Sequence, residues 1–192
     1  MDTYNQWMIL KNEVNACKGC YLTSKSKLLH RGNLCARIMV IGDAPTPEDV
    51  KANQIFSGNT GKYLDGMLKL IDIEPEEVYI TALVNCTTGG KAPKPTAVEA
   101  CIKCLRKQFQ LVKPEIVICL GSIASRQLID PHFRLERDHG KLIAKGKVMF
   151  MGTYHPSAFH YNPSLKDAML GDFMKIKEFC DTYPPYSNLL NV

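Results

Sequence analysis

Five of the eight cysteines are spaced in a way that suits metal ligation. Cys17 and Cys20 form a Cys-x-x-Cys pair, Cys86 ends an apolar run, and Cys101 and Cys104 lie about one helical turn apart. Four thiolates grouped in this way can hold either a zinc ion or an iron–sulfur cluster. A redox dithiol is the weaker interpretation of the first pair, because that pair does not lie between a strand and a helix.

A histidine and an aromatic residue also stand where chemistry is possible. His155, in GTYHPSAF, comes just after an apolar run and is held by Pro156. A lone histidine is more often structural, but this position favours function. Phe56, in QIFSGNTGK, is an ordinary core residue in the simplest interpretation. The small residues that follow it would instead let the backbone approach a phosphate at a helix N-terminus.

The elements that must position these residues can be read from the apolar pattern. Strands are predicted in ARIMVIG, VYITALVN, EIVICLG and KVMFMGTY, and helices over 60–71, 96–112, 122–129 and 164–180, with Thr96 as an N-cap. Strands that alternate with helices predict an α/β protein with a mainly parallel sheet. Ligands of such sheets bind beyond the carboxyl ends of the strands, where GDAPTPED, NC with its loop (85–95), GS and HPS stand here.

The composition is that of an ordinary globular protein. The chain has 192 residues, of which 22% are charged and 45% hydrophobic, and this length suits one domain. No run approaches the roughly 18 apolar residues of a membrane span, so no membrane contact is expected. The N-terminus lacks the pattern of a signal peptide, which predicts a cytoplasmic location. The formal charge of +5 favours an anionic partner only weakly.

The order of the motifs resembles that of the family 4 uracil-DNA glycosylases, the iron–sulfur branch of the uracil-DNA glycosylase superfamily. The similarity runs from Cys17 to about Asp172, through VIGDAPTPED, FSGNTGKYLDGML, VYITALVNC, PKPTAVEAC, LGSIA and YHPS. It implies a three-layer α/β/α sandwich with a mainly parallel central sheet. It also implies a single glycosylase domain over residues 1–192 that acts on DNA, expected here as a monomer.

The resemblance further implies a four-iron cluster, with the composition 4Fe-4S, in a structural role. Its ligands would be Cys17 and Cys20, in the N-terminal segment 1–35, together with Cys86 and Cys101. Cys101 is preferred to Cys104 because the family's cysteine follows a Glu-x-Cys-like stretch, which Glu99-Ala100-Cys101 matches.

The family's reaction is hydrolysis of an N-glycosidic bond after the base has been flipped out of the DNA stack. The resemblance implies that Phe56 stacks on the flipped base, that Asp43 lies near its C5 edge and the attacking water, and that His155 stabilises the charge of the leaving base. The other residues assigned by the resemblance contact the base (Ala44, Thr46, Ala82), bind phosphates (Ser57, Ser122, Ser157) or fill the gap in the stack (Phe159 or Tyr161). For further backbone phosphates we consider Lys91, Lys94 and the stretch from Arg134 to Lys147, which could equally be a solvated loop.

Three positions depart from the family. Members read Thr-Asn where this chain has Thr81-Ala82, and that Asn forms the paired hydrogen bonds to uracil. Asn85 is a poor substitute, because strand alternation points it to the opposite face. The usual Glu is shortened to Asp43, and the usual Gly is Thr46.

Loss of bulk at two of these positions predicts room for a larger base. We interpret the chain as a DNA glycosylase for a pyrimidine with a bulky C5 group, as found in some phage genomes, acting in antiviral defence. The alternatives are an ordinary uracil-DNA glycosylase of base-excision repair and a DNA-binding module without catalysis. Retention of His155, Phe56 and an acid at position 43 argues against the last of these.

Overall fold

Six strands form one sheet in the computed structural model, which describes residues 2–183. Their bounds are β1 His30–Gly32, β2 Ile38–Gly42, β3 Tyr79–Ala82, β4 Ile116–Leu120, β5 Leu142–Lys145 and β6 Val148–Thr153. The order across the sheet is β1-β3-β2-β4-β6-β5. The four inner strands are parallel, and the two edge strands are antiparallel to their neighbours. Met1 and residues 184–192, which the predicted domain includes, lie outside the described residues.

Helices connect the strands. Their bounds are α1 Thr3–Asn15, α2 Pro47–Ala52, α3 Asn59–Lys69, α4 Pro95–Val112, α5 Gly121–Leu128, α6 Leu135–Asp138 and α7 Leu165–Thr182. Two short 3₁₀ turns, Pro75–Glu77 and Pro156–His160, complete the regular structure of this part of the chain. None of the helices between residues 2 and 183 has the length and apolar character needed to cross a membrane.

The apolar residues of the sheet point alternately to two separate clusters. Val40 of β2 packs on one face with side chains of α3 and α7, such as Leu64 and Phe173. Its neighbour Ile41 packs on the other face with side chains of α4 and α5. Both faces of β2 and β4 are buried, as expected when helices cover a parallel sheet on both sides. The predicted three-layer α/β/α sandwich is therefore confirmed.

The N-terminal segment adds a helix that the apolar pattern did not predict. Leu10 and Val14 of α1 pack against Leu29 and the outer surface of α4. The indole Nε1 of Trp7 donates to His30 Nδ1 at 3.2 Å, and the His30 ring stacks on Tyr79 at 4.5 Å. This aromatic chain joins α1 to the edge of the sheet.

Two predicted boundaries are wrong, and one stretch is more ordered than the loop interpretation predicts. The strand predicted over 78–85 ends at Ala82, which pairs with Gly42, the last residue of β2. Helix α4 begins at Pro95 and not after a Thr96 cap, since proline has a preset φ that suits the first helical position. Much of the stretch from Arg134 to Lys147 forms α6 and β5, so it is not simply a solvated loop.

The topology creates a crevice between β2 and β4. These two strands are neighbours, but the chain leaves β2 toward β3 on one side and leaves β4 toward β6 on the other. The segments that follow them therefore separate, and ligands of open α/β sheets bind at such a switch point. The residues that follow β2 begin with Asp43, and those that follow β4 begin with Gly121.

Candidate active site

A cleft of about 380 Å³ lies at the carboxyl ends of β2, β4 and β6. Its walls come from the segment after β2, the loop 88–92 before α4, the start of α5 and the segment after β6. The fold brings seven of the residues predicted from the sequence to this cleft: Asp43, Ala44, Thr46, Lys91, Ser122, His155 and Ser157.

His155 is held in one tautomer by Ser157, two residues along the chain. The backbone N–H of Ser157 donates to His155 Nδ1 at 3.2 Å, and the Ser157 hydroxyl lies 2.8 Å from the same nitrogen. Since an amide can only donate, Nδ1 is the acceptor and the neutral ring carries its proton on Nε2. Burial lowers the pKa of His155 to about 4, so the ring is neutral at physiological pH. The side chain is therefore a neutral donor through Nε2.

Asp43 presents one carboxylate oxygen that is not satisfied by the protein. The carboxylate accepts a hydrogen bond from the backbone N–H of Ala124 in α5. Its Oδ1 is buried and has no partner among residues 2–183. Burial raises the pKa of Asp43 to about 6, and the Ala124 bond offsets only part of this rise. A buried acceptor without a partner needs water or a ligand group, which suits a residue that holds an attacking water.

Phe56 adopts an unusual backbone conformation that places its ring beside β2. Its φ is 54°, a left-handed value that costs a non-glycine residue about 1–3 kcal/mol. A Cβ on Gly42 would lie 2.6 Å from the Phe56 ring, so only glycine allows this contact. The ring centroid is 6.0 Å from that of His155. The aromatic ring thus lies near the histidine, although Phe56 itself does not line the cleft.

Ala82 lies at the same level of the sheet, paired with Gly42. It is 1% exposed and belongs to the apolar cluster that contains Phe56. Its methyl group supplies no hydrogen bond. Asn85 lies beyond the end of β3, so strand alternation does not govern its direction. Its Nδ2 is buried without a partner in the described part of the chain, and its carbonyl accepts from the Leu28 N–H.

The three serines predicted to bind phosphates differ in their surroundings. The hydroxyl of Ser57 donates to Asp49 Oδ1 at 3.0 Å, and that of Ser157 contacts His155. Ser122, in the first turn of α5, lines the cleft, and its hydroxyl has no hydrogen bond to residues 2–183. Ser122 is therefore the serine best placed to meet a phosphate.

The two aromatic residues predicted to enter the gap in the stack are not equivalent. Phe159 is 3% exposed and packs edge-on against Tyr63, with ring centroids 5.5 Å apart. Tyr161, just after the 3₁₀ turn, is 91% exposed. A core residue cannot leave its site without loss of apolar burial, so Tyr161 is the candidate that the fold leaves available.

The predicted metal-ligating cysteines gather near the start of α4. Burial raises the pKa of Cys86 to about 11, and the neighbouring thiols of Cys101, Cys20 and Cys17 contribute to the rise. Burial also raises the pKa of Cys101, which feels the same two N-terminal thiols. The Cys-x-x-Cys turn lies against α4, since a Cβ on Gly19 would be 4.0 Å from the Ala100 methyl.

The gathered donors are all sulfur, which is the donor set of an iron–sulfur cluster. Within residues 2–183, no three His, Cys, Asp or Glu side chains are placed to bind one metal ion. An iron–sulfur cluster is larger and takes four thiolates around its surface, which matches an all-sulfur set spread over three segments. Cys104 is also near, because Cys101 and Cys17 influence its titration, and it lines a surface cleft together with Cys17 and Glu13.

Basic residues border the active-site cleft. Lys91 lines it, and the ammonium of Lys94 lies 5.3 Å from the ring of Tyr21, which is half exposed. In the stretch 134–147, Arg137 and Lys141 are paired with Asp138 and are less available to a ligand.

Several cleft residues were not predicted. Thr88, Gly90 and Tyr154 line the walls, and Asp49 links two of the surrounding loops. Asp49 had a local sequence signal, since Thr46-x-x-Asp49 has the spacing of a capping box. Thr88 and Gly90 lie in the loop 85–95, which follows a predicted strand end.

Comparisons with known proteins agree with this geometry. The family model of the uracil DNA glycosylase superfamily matches residues 29–176. A type-4 uracil-DNA glycosylase of Archaeoglobus fulgidus is 33% identical over 184 residues, which covers 90% of this chain and 92% of the relative. A type-4 uracil-DNA glycosylase of Saccharolobus solfataricus is 30% identical, over 92% of this chain and 87% of the relative. One of Thermotoga maritima is 29% identical, over 89% and 93% respectively.

Proposed function

The chain belongs to the type-4 branch of the uracil-DNA glycosylase superfamily and is a DNA glycosylase, and we propose that its preferred substrate is a pyrimidine with a bulky group at C5. The base is flipped out of DNA, and hydrolysis of its N-glycosidic bond leaves an abasic site. Such bases occur in some phage genomes, so defence against phage DNA is the setting that we propose.

The observation that carries this proposal is the methyl group at position 82. Ala82 pairs with Gly42 at the end of β3 and shares an apolar cluster with Phe56, and its methyl group has neither a donor nor an acceptor to offer a base. A pocket that recognises uracil by paired hydrogen bonds discriminates strongly, and loss of those bonds weakens that recognition. The methyl group also takes less volume than an amide, and Asp43 is shorter than a glutamate. Both changes favour a larger base.

The reaction follows from two side chains of this chain. His155 donates from Nε2 to an oxygen of the leaving base, on which negative charge grows as the bond to the sugar breaks. Asp43 holds a water molecule through its unpartnered Oδ1 and accepts a proton as the water attacks the sugar carbon. Phe56 stacks on the flipped base, while Ala44 and Thr46 form the wall of the cleft beside it.

The DNA contacts that we propose surround this pocket. Ser122 meets a phosphate at the start of α5, and Tyr161 enters the gap that the flipped nucleotide leaves in the stack. Lys91 lies at the cleft and contacts the phosphate backbone of the DNA strand that carries the flipped nucleotide.

We also propose that Cys17, Cys20, Cys86 and Cys101 hold a 4Fe-4S cluster. When bound, the cluster supplies a covalent tie between the N-terminal segment, the segment after β3 and the first part of α4. The loop 87–94, part of which lines the cleft, begins directly after Cys86 and ends at α4. Removal of the cluster is therefore expected to affect the loop that borders the cleft.

Uracil repair is the main alternative, and one experiment separates the two. The purified protein is incubated with DNA that contains uracil and with genomic DNA from phages that carry modified cytosines, and abasic sites are counted. We expect faster formation of abasic sites in the modified DNA. Equal or faster removal of uracil would contradict the substrate preference and favour repair. An inactive binding module would produce abasic sites in neither DNA.

A further inference from the structure

Asp49 joins the two loops that enclose the proposed base pocket. Its side chain is 3% exposed and accepts three hydrogen bonds. Oδ2 accepts from the backbone N–H of Thr46 at 2.9 Å. Oδ1 accepts from the backbone N–H of Ser57 at 2.7 Å and from the Ser57 hydroxyl at 3.0 Å. One carboxylate thus binds a residue before α2 and a residue beyond its end.

The two residues that it binds belong to the two loops that flank α2, of which the first lines the cleft and the second carries Phe56. Thr46 is the last residue of the segment 43–46, all of which lines the cleft. Ser57 directly follows Phe56, whose ring lies against Gly42. The separation of these loops therefore sets the space between the stacking ring and the wall formed by residues 43–46.

The loop that carries Phe56 would not keep its conformation by itself. Phe56 has a left-handed φ of 54°, which bulky residues avoid, whereas Asn53, with a φ of 51°, is the C-cap of α2 and is of a type that tolerates this region. The backbone is held by the Gln54 N–H, which donates to the Asp49 carbonyl at 3.0 Å, and by the two bonds from Ser57. Residues in such regions persist only where their surroundings fix them.

A helix cap does not account for all of these contacts. The capping box of α2 needs only the bonds between Thr46 and Asp49. The bonds to Oδ1 come from Ser57, which lies outside the helix. We propose that Asp49 is a positioning residue that fixes the width of the base pocket by holding the Thr46 and Phe56 loops together. The inference rests on the proposed function in that it takes Phe56 and Thr46 as contacts of the flipped base.

This assignment also changes the role of Ser57. Its hydroxyl donates its hydrogen bond to the buried carboxylate of Asp49 and is therefore not available as a phosphate ligand. Because the backbone N–H supplies a second bond to the same oxygen, the loop keeps part of its support when the hydroxyl is removed.

Asp49→Asn tests the inference, because an amide keeps one acceptor and places a donor against one of the backbone N–H groups. We expect the single-turnover cleavage rate at saturating protein to fall by about tenfold or more, since small displacements of positioned groups slow reactions strongly. The affinity for product DNA, which contains an abasic site and no base, should change by less than about twofold. Glu115→Gln, which breaks an ion pair with Arg37 at the other end of the sheet, should change neither quantity.

Ser57→Ala provides a second test if the first variant does not fold. We expect a fall in cleavage rate of about two- to threefold, because one of the hydrogen bonds to Asp49 is lost. Weaker binding of abasic DNA with an unchanged cleavage rate would instead mark Ser57 as a phosphate contact and overturn the inference. A wild-type cleavage rate in the folded Asp49→Asn variant would overturn it as well.

The substrate for these measurements is whichever DNA the wild type cleaves faster. If the wild type cleaves only uracil DNA, the C5 preference fails while the Asp49 test still applies. If it cleaves neither DNA, the base pocket is not where we place it, and both the proposed function and this inference fail.

Discussion

The proposed role of His155 depends on a hydrogen bond that its side chain accepts from the backbone N–H of Ser157. Because the Ser157 N–H occupies Nδ1, the proton must stand on Nε2, and burial keeps the ring neutral by lowering its pKa. A neutral donor that is already placed in a buried site stabilises a growing anion without a prior change in its protonation.

Replacement of this histidine should therefore slow the chemistry more than the binding. We expect His155→Ala to reduce glycosidic cleavage by about a hundredfold or more, the usual effect of removing one preorganised donor. Affinity for DNA, measured by fluorescence anisotropy, should be nearly unchanged. His160→Ala, which removes an exposed histidine of the adjacent 3₁₀ turn, is the matched control. Equal activity in the His155 variant would mean that other groups stabilise the leaving base.

Asp43 should determine how the rate depends on pH. Burial raises its pKa to about 6, whereas the pKa of His155 is lowered to about 4. The carboxylate must be ionised to accept a proton from water, so the rate should rise as the pH increases through about 6 and stay level above it. His155 stays neutral across this rise. Single-turnover rates measured from about pH 4.5 to about pH 8 would show the expected rise in cleavage rate. Asp43→Asn should remove the rise, and a rate independent of pH in the wild type would contradict the role of Asp43.

Ala82 provides the sharpest test of substrate choice. Ala82→Asn restores the amide that type-4 relatives are expected to use and adds bulk next to Gly42. Uracil excision should rise and excision of the enlarged base should fall, each by about ten- to a hundredfold. Because position 82 is buried, the melting temperature of the variant must first be compared with that of the wild type. A folded variant without activity on either base would count against the enlarged pocket.

At the scale of elements, the start of α4 and the Cys-x-x-Cys turn depend on each other. Cys101 lies in α4 and is buried, with the thiols of Cys20 and Cys17 close enough to influence its pKa. Cys104, one turn later, lines a cleft at the surface. The two positions therefore offer a matched pair on one helix.

We expect the Cys101→Ser variant to lose the cluster and to be much less soluble than the wild type. The Cys104→Ser variant should keep both the cluster and the solubility of the wild type. The wild-type protein should be brown, with broad visible absorbance from thiolate-bound iron. Absorbance spectra and iron content per chain provide the measurement. The reverse result would make Cys104 the fourth ligand, and colourless wild-type protein with one zinc per chain would exclude the cluster.

At the scale of the whole molecule, electrostatics should dominate the affinity for DNA. The chain carries a formal charge of +5, and Lys91 borders the cleft. Lysine contacts with phosphates release counterions, so the affinity should fall steeply as salt increases. Lys91→Ala should reduce the slope of log affinity against log salt by about one.

The matched control for this measurement is Lys113→Asn, at the far end of α4 from the cleft. Lys113 has a left-handed φ of 53°, which asparagine tolerates better than most residues, so the change removes a charge at little cost in stability. The salt slope of this variant should equal that of the wild type. An affinity insensitive to salt in the wild type would contradict the proposed phosphate contacts.

Local patterns in the sequence determined much of this protein. The four inner strands, the helices behind them and the gathering of site residues at the carboxyl ends follow from hydrophobic periodicity and connection order. The order of the motifs identified the family, and the departure at Ala82 is visible in the sequence itself. These features depend on residues that are close together in the chain or on the order of elements along it.

Only the tertiary structure decided which of the candidate side chains are free to act. Phe159 is buried against Tyr63, and the hydroxyls of Ser57 and Ser157 already have partners, whereas Tyr161 and Ser122 remain available. The short edge strands β1 and β5 were also missed, because a strand of three or four residues forms through pairing with a neighbour and has little periodicity of its own. Asp49 shows the same principle. Its capping role involves residues close together in the chain and can be predicted from the sequence. Its bond to Ser57 exists only because the chain folds back after α2.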